Sequence, residues 1–133
     1  MSEPCVLIVE DNEANLLLIQ EVLRPLGFQI LLARDGEEGV RLAREKLPDL
    51  IVMDIQLPRM DGLTATRLIK STPETSKIPI IAVTAHALLR DRENAQKAGC
   101  NDYVTKPLNI RLFREKIRSL MRPLTGASSE PRS

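Results

Sequence analysis

Aromatic side chains are nearly missing from this sequence, which has no tryptophan, one tyrosine and two phenylalanines in 133 residues. Its core must therefore be aliphatic, and a ring-stacking flavin site has little to build on. Cysteine is almost as scarce. Cys5 and Cys100 show no CxxC or Cys/His spacing, so they read as small core-type thiols of a reducing cytoplasm, not as a disulfide or metal site. Neither sign of charge is in excess, with 19 Lys and Arg against 18 Asp and Glu. That balance removes the general reason to expect nucleic acid or an anionic membrane as partner. No apolar run approaches the ~20 residues of a membrane span. The opening MSEPCVLIVED lacks the basic flank and cleavage site of a secretion signal. A cytoplasmic protein without nucleic-acid or membrane partners is expected. No glycine-rich phosphate loop follows the first apolar run, where DNEANL stands.

What is present is a regular alternation. The chain is long enough for one domain that buries roughly two-thirds of its unfolded surface. Five apolar stretches read as strands: CVLIVE at 5–10, FQILLA at 28–33, LIVM at 50–53 running into Asp54, IPIIAVT at 78–84, and a short one from Asp102 to Thr105. Helical spacing fills the gaps. The first helix follows an Asp11 or Asn12 cap and runs to about Leu26, with Leu16, Ile19, Leu23 and Leu26 on one face. Pro25 and Gly27 close it. The second follows Asp35-Gly36, where Asp35 and Glu38 resemble a capping box. It points Val40, Ala43 and Leu47 inward and stops at Pro48. Further helices are expected over about 64–71, over 88–98 up to Gly99, and from near Asn109, with Ile110, Phe113, Ile117 and Leu120 on one face. The spacing gives a domain over 1–122 and a disordered tail or linker over 123–133. Five strands alternating with five helices imply an α/β fold, a doubly wound parallel sheet with helices on both faces. The common strand order at this length is 2-1-3-4-5.

Four of these strands finish on a charged or hydroxyl group: Glu10 and Asp11 after the first, Asp54 after the third, Thr84 after the fourth, Lys106 after the fifth. Singly, each has an ordinary reading. Asp54 can cap the turn that Leu57-Pro58 and Asp61-Gly62 enforce, and the others can be solvated turn or helix-start residues. In the order 2-1-3-4-5, however, strands one, three, four and five are neighbours. Their C-terminal ends share the edge where open α/β sheets bind ligands. Two carboxylates about 4 Å apart repel by about 4 kcal/mol at an effective dielectric near 20, so three together call for a cation. Hard oxygen ligands suit Mg²⁺. A lysine adds a point charge for an anion, and a threonine adds a hydroxyl donor. Carboxylate nucleophile, metal, ammonium and hydroxyl are the parts that phosphoryl transfer requires.

VLIVEDN at 6–12, DLIVMDIQLPRMDG at 49–62, IPIIAVTA at 78–85 and GCNDYVTKPL at 99–108 together resemble the receiver domains of two-component response regulators, over about residues 4–121. The resemblance implies a flavodoxin-like fold and a regulatory phosphoacceptor. Such a protein catalyses its own phosphorylation and slow dephosphorylation but is not otherwise an enzyme. By position, Asp54 is the expected acceptor of a phosphoryl group from a histidine kinase or histidine phosphotransfer protein. Glu10, Asp11, Asp54 and the backbone carbonyl of Gln56 are the expected Mg²⁺ ligands. Lys106 is expected to pair with the phosphoryl oxygens, with Pro107 joined to it through a cis bond. Thr84 and Tyr103 are the expected switch pair, and Gln56 and His86 the positions that tune hydrolysis. A downstream signalling protein would read the face of helix four, strand five and helix five. Exposed Leu88 and Leu89, or the basic residues Arg111, Arg114, Lys116, Arg118 and Arg122, are candidates for that contact. The Met1 start favours a stand-alone or N-terminal receiver over an excised one. Three rivals stand beside this reading. A haloacid-dehalogenase-type hydrolase needs an acid two residues past the nucleophile, where Gln56 stands. A nucleotide or flavin binder lacks its glycine loop and its aromatics. A docking receiver that is never phosphorylated would retain the acceptor parts without using them.

Overall fold

A computed structural model describes residues 3–85 and 88–125, the last four by backbone alone; His86 and residues 126–133 lie outside the described residues. Five parallel strands form one sheet in the order β2-β1-β3-β4-β5. The strands are β1 (Cys5–Val9), β2 (Gln29–Ala33), β3 (Leu50–Asp54), β4 (Ile80–Thr84) and β5 (Asp102–Thr105). They alternate with α1 (Glu13–Leu23), α2 (Gly36–Lys46), α3 (Gly62–Ser71), α4 (Leu89–Ala98) and α5 (Ile110–Thr125). This is the flavodoxin-like arrangement expected from the alternation.

The three central strands, β1, β3 and β4, are apolar up to their C-terminal ends because both sheet faces are covered there. On one face Val6, Ile8, Leu50, Val52, Ile81 and Val83 pack with Leu16, Ile19, Leu23, Phe113 and Ile117 from α1 and α5. On the other, Leu7, Val9, Ile51, Met53 and Ile80 meet Val40, Ala43, Ala65 and Ile69 from α2 and α3. Successive strand residues thus enter opposite layers, as a period of two requires. The fourth helix is different, since only Ala95 and Ala98 of α4 are buried. Leu88 and Leu89 just ahead of them are 60% and 68% exposed, so α4 is held by little apolar area.

Three local expectations change. The first α-helix ends at Leu23 and tightens into a 3-10 turn over Arg24–Leu26 before left-handed Gly27. Pro25 has no N–H to continue the α ladder. Leu47 does not face the core. It is 52% exposed and caps α2 with φ +48°. The following Pro48 disfavours the right-handed helical conformation at Leu47, so the chain leaves the helix there and the side chain turns out. Finally, the backbone of α5 continues through Pro123 to Thr125. The ring of a proline fixes φ near −65°, a helical value, and forfeits one ladder bond.

Candidate functional site

The first strand delivers the acidic pair. The Glu10 N–H donates to the Ala33 carbonyl at 2.9 Å, carrying the β1–β2 ladder one residue past the strand. Its side chain is then turned inward, 1% exposed, with Oε2 accepting the Asn12 N–H at 3.1 Å. Asn12 is also the cap of α1, its Oδ1 accepting the Asn15 N–H at 2.9 Å. The helix therefore starts at once, and Asp11 is left exposed at the rim.

The third strand delivers the central carboxylate. Asp54 is 2% exposed. Its Oδ1 accepts the Gln56 N–H at 3.0 Å and its Oδ2 meets Lys106 Nζ at 3.2 Å. The sharp exit needs a glycine at position 62, because a Cβ there would lie 2.1 Å from the Asp54 carbonyl oxygen. The Gly62 N–H donates to the Ile55 carbonyl at 2.8 Å, closing the β3–α3 loop.

The other two strand ends meet beside it. The Lys106 N–H donates to the Thr84 carbonyl at 2.7 Å, and the Lys106-Pro107 bond is cis. Asp54 is level with Val83 in the β3–β4 register, so Thr84 lies one residue further along the same edge. Thr84 is 2% exposed and, with Ile55, Leu63, Asp91, Asn94 and Tyr103, lines a small cavity of about 40 Å³. Tyr103 is half-buried on the wall of the same cavity, and the Arg92 guanidinium lies 5.6 Å from its ring centre.

Oxygen atoms of Glu10, Asp11 and Asp54 all lie within 4.8 Å of one another. Burial pushes the Glu10 carboxyl up to about 7, helped by the adjoining Asp54 carboxylate; the Asn12 amide and the Lys106 ammonium pull the other way. Lys106 Nζ stands 3.5 Å from Glu10 Oε1, near enough for charge pairing, yet that buried oxygen makes no hydrogen bond. A crowded set of hard oxygens with one unsatisfied buried member fits a small divalent cation such as Mg²⁺.

Glu10, Asp11, Asp54 and Lys106 are thus gathered in one cluster, Gln56 touches it through its amide, and Thr84 and Tyr103 share the cavity alongside. Sequence reasoning did not single out Arg59, which is in the left-handed region at φ +65° and pairs with Asp35 at 3.3 Å. It also missed Arg92. No local pattern marks either contact, since each joins separate elements.

A family model of the response regulator receiver domain matches residues 6–118. The polar-differentiation response regulator DivK of Brucella anthropi is 44% identical over 116 residues, 87% of this chain and 94% of that protein. Among solved structures, the receiver domain of a Pseudomonas aeruginosa sensor histidine kinase superposes with a TM-score of 0.82. It is 40% identical and the match covers 91% of this chain and 98% of that one; a magnesium ion is coordinated in its active-site cleft. A putative response regulator from Chloroflexus aurantiacus gives a TM-score of 0.85 at 28% identity, covering 91% and 98%.

Proposed function

Because the chain belongs to the response regulator receiver domain family, the phosphoacceptors of two-component signalling, we propose that Asp54 is the residue phosphorylated, by a histidine kinase or a histidine phosphotransfer protein in the cytoplasm. The observation that carries this reading is the ammonium of Lys106 set against both Asp54 Oδ2 and Glu10 Oε1, at 3.2 and 3.5 Å, in a cluster of three carboxylates. Glu10, Asp11, Asp54 and the Gln56 carbonyl would hold Mg²⁺, which when bound supplies charge neutralisation at the phosphoryl oxygens.

The chain's own groups do the rest. An Asp54 oxygen forms the new bond to phosphorus as the bond from phosphorus to the donor imidazole nitrogen breaks. The imidazole leaves with its electron pair. Gln56 N–H holds one Asp54 oxygen in place, so the carboxylate is oriented before the donor arrives. Lys106 then exchanges its carboxylate partner for the phosphoryl oxygens, and the Thr84 hydroxyl bonds to another of them. The acyl phosphate hydrolyses slowly, at a rate tuned from Gln56 and His86. Movement of Thr84 empties part of the cavity it shares with Tyr103. The tyrosine follows, and the face of α4, β5 and α5 repacks for a downstream protein. Exposed Leu88 and Leu89 support that surface.

The test uses the full chain with Mg²⁺ and a cognate kinase or a small phosphodonor. Peptide mass spectrometry is expected to find one base-labile, acid-stable phosphate on Asp54, and none on the Asp54→Asn variant. Equal labelling of both proteins would overturn the assignment.

A further inference from the structure

We propose that the Asp35–Arg59 ion pair is a positioning clip, holding the β3–α3 loop so that the Asp54 carboxylate keeps its reactive orientation. The inference rests on Asp54 being the acceptor. The loop comprises residues 55–61. Its base is closed by two backbone bonds, Ile55 N–H to the Val83 carbonyl at 3.0 Å and Gly62 N–H to the Ile55 carbonyl at 2.8 Å. Leu57 and Met60 rest on the core beneath, and Arg59 reaches across to α2, where its Nη1 lies 3.3 Å from Asp35 Oδ2.

Two features mark this reach as more than a chance surface contact. Arg59 has φ +65°, a backbone conformation that a residue with a Cβ adopts only at a cost. That kink turns the Met60 carbonyl onto Gly36, the first residue of α2, where a Cβ would fall 2.1 Å from the Met60 oxygen. Asp35 serves both sides. Its Oδ1 caps α2 by accepting the Glu38 N–H at 2.8 Å, while its Oδ2 takes Arg59. The loop tip is therefore keyed to a helix end that is rigid because it is capped.

The consequence is felt at Gln56. That residue lies in the same loop, and its N–H fixes Asp54 Oδ1. With the tip held, the Gln56 amide has one direction, and Asp54 presents Oδ2 toward Lys106. With the tip free, the amide wanders and the carboxylate turns with it. The Arg59 side chain is 70% exposed against 14% for Asp35, and a pair with one partner standing in water contributes little to overall stability. The clip's effect is on geometry rather than on the fold.

Asp35→Asn keeps the helix cap, since Asn caps as well as Asp, and removes the charge that holds Arg59. Arg59→Gln removes the other half. In each variant, hydrogen exchange at the Gln56 amide is expected to quicken by about threefold to fivefold, the scale of an exposed ion pair. Phosphorylation by phosphoramidate at saturating donor and Mg²⁺ is expected to slow by a similar factor, with half-saturation and melting midpoint unchanged. Arg59→Lys should restore both rates, and the double variant should be no worse than either single one. Unchanged exchange at Gln56, additive single effects, or faster exchange without slower phosphorylation would overturn the clip. A parent chain that takes up no phosphate would sink the acceptor assignment instead, while exchange at Gln56 would still decide whether the pair holds the loop.

Discussion

Replacing Glu10 with glutamine is expected to stabilise the metal-free protein at and above neutral pH and to leave it unchanged in mild acid. The Glu10 side chain is 1% exposed, and burial beside Asp54 lifts its pKa from 4.5 to about 7. A pKa raised by folding means that the folded protein binds the proton more tightly than the unfolded chain. The resulting stabilisation is complete below pH 4.5 and is lost as pH rises through about 7. The interval of about 2.5 units, at 1.36 kcal/mol each, makes the loss about 3 kcal/mol. The attraction of Lys106 opposes the rise and is already contained in that value. Glutamine keeps the shape and cannot ionise. At roughly 4 °C per kcal/mol for a domain of this size, the Glu10→Gln variant should melt about 10 °C above the parent at pH 7.5. The gap should close towards pH 4.5. Circular dichroism melts in EDTA across that range provide the assay. Adding saturating Mg²⁺ should shrink or reverse the gap at pH 7.5, because the ion stabilises the protein that binds it better. A gap independent of pH, or a less stable glutamine variant at pH 7.5 in EDTA, would refute the reasoning.

Two further substitutions test the surroundings. Gly62→Ala places a methyl 2.1 Å from the Asp54 carbonyl oxygen and 2.8 Å from Ile55 Cα. It should cost about 3 kcal/mol through overpacking against backbone, seen as a lower urea midpoint, and an unchanged midpoint would contradict the close approach. Leu89→Glu should leave stability within about 0.5 kcal/mol of the parent, because Leu89 is 68% exposed and α4 commits only Ala95 and Ala98 to the core. A fall in the urea midpoint as large as that of a core truncation would show that α4 is anchored through this residue.

Much of this architecture is readable from local pattern. Fully apolar runs such as LIVM at 50–53 are what a strand covered on both faces requires, and punctuation by Asp61-Gly62 or Gly99 marks where each element stops. Once the strand order is inferred, the gathering of Glu10, Asp11, Asp54, Thr84 and Lys106 follows from parallel geometry alone. The misreadings are equally physical. Helical spacing placed Leu47 inward, but Pro48 acts on the backbone before it and turns the residue out. Helical spacing runs on to Leu26, but the missing N–H of Pro25 narrows the α-helix to a 3-10 turn from Arg24. The contacts of Arg59 with Asp35 and of Arg92 with Tyr103 link residues from different elements, so no periodicity reports them.

The sequence by itself determined which residues reach the functional edge, because strand ends and turns are local and a parallel sheet aligns them. Only the tertiary structure decided how they stand there. Glu10 is buried with one carboxylate oxygen that accepts no hydrogen bond, while its neighbour Asp11 is open to water. Lys106 meets two carboxylates at once, and a loop tip is tied to the cap of a distant helix. Burial, charge sharing and ion-pair distance depend on what packs from other parts of the chain, and one-dimensional order does not carry that information.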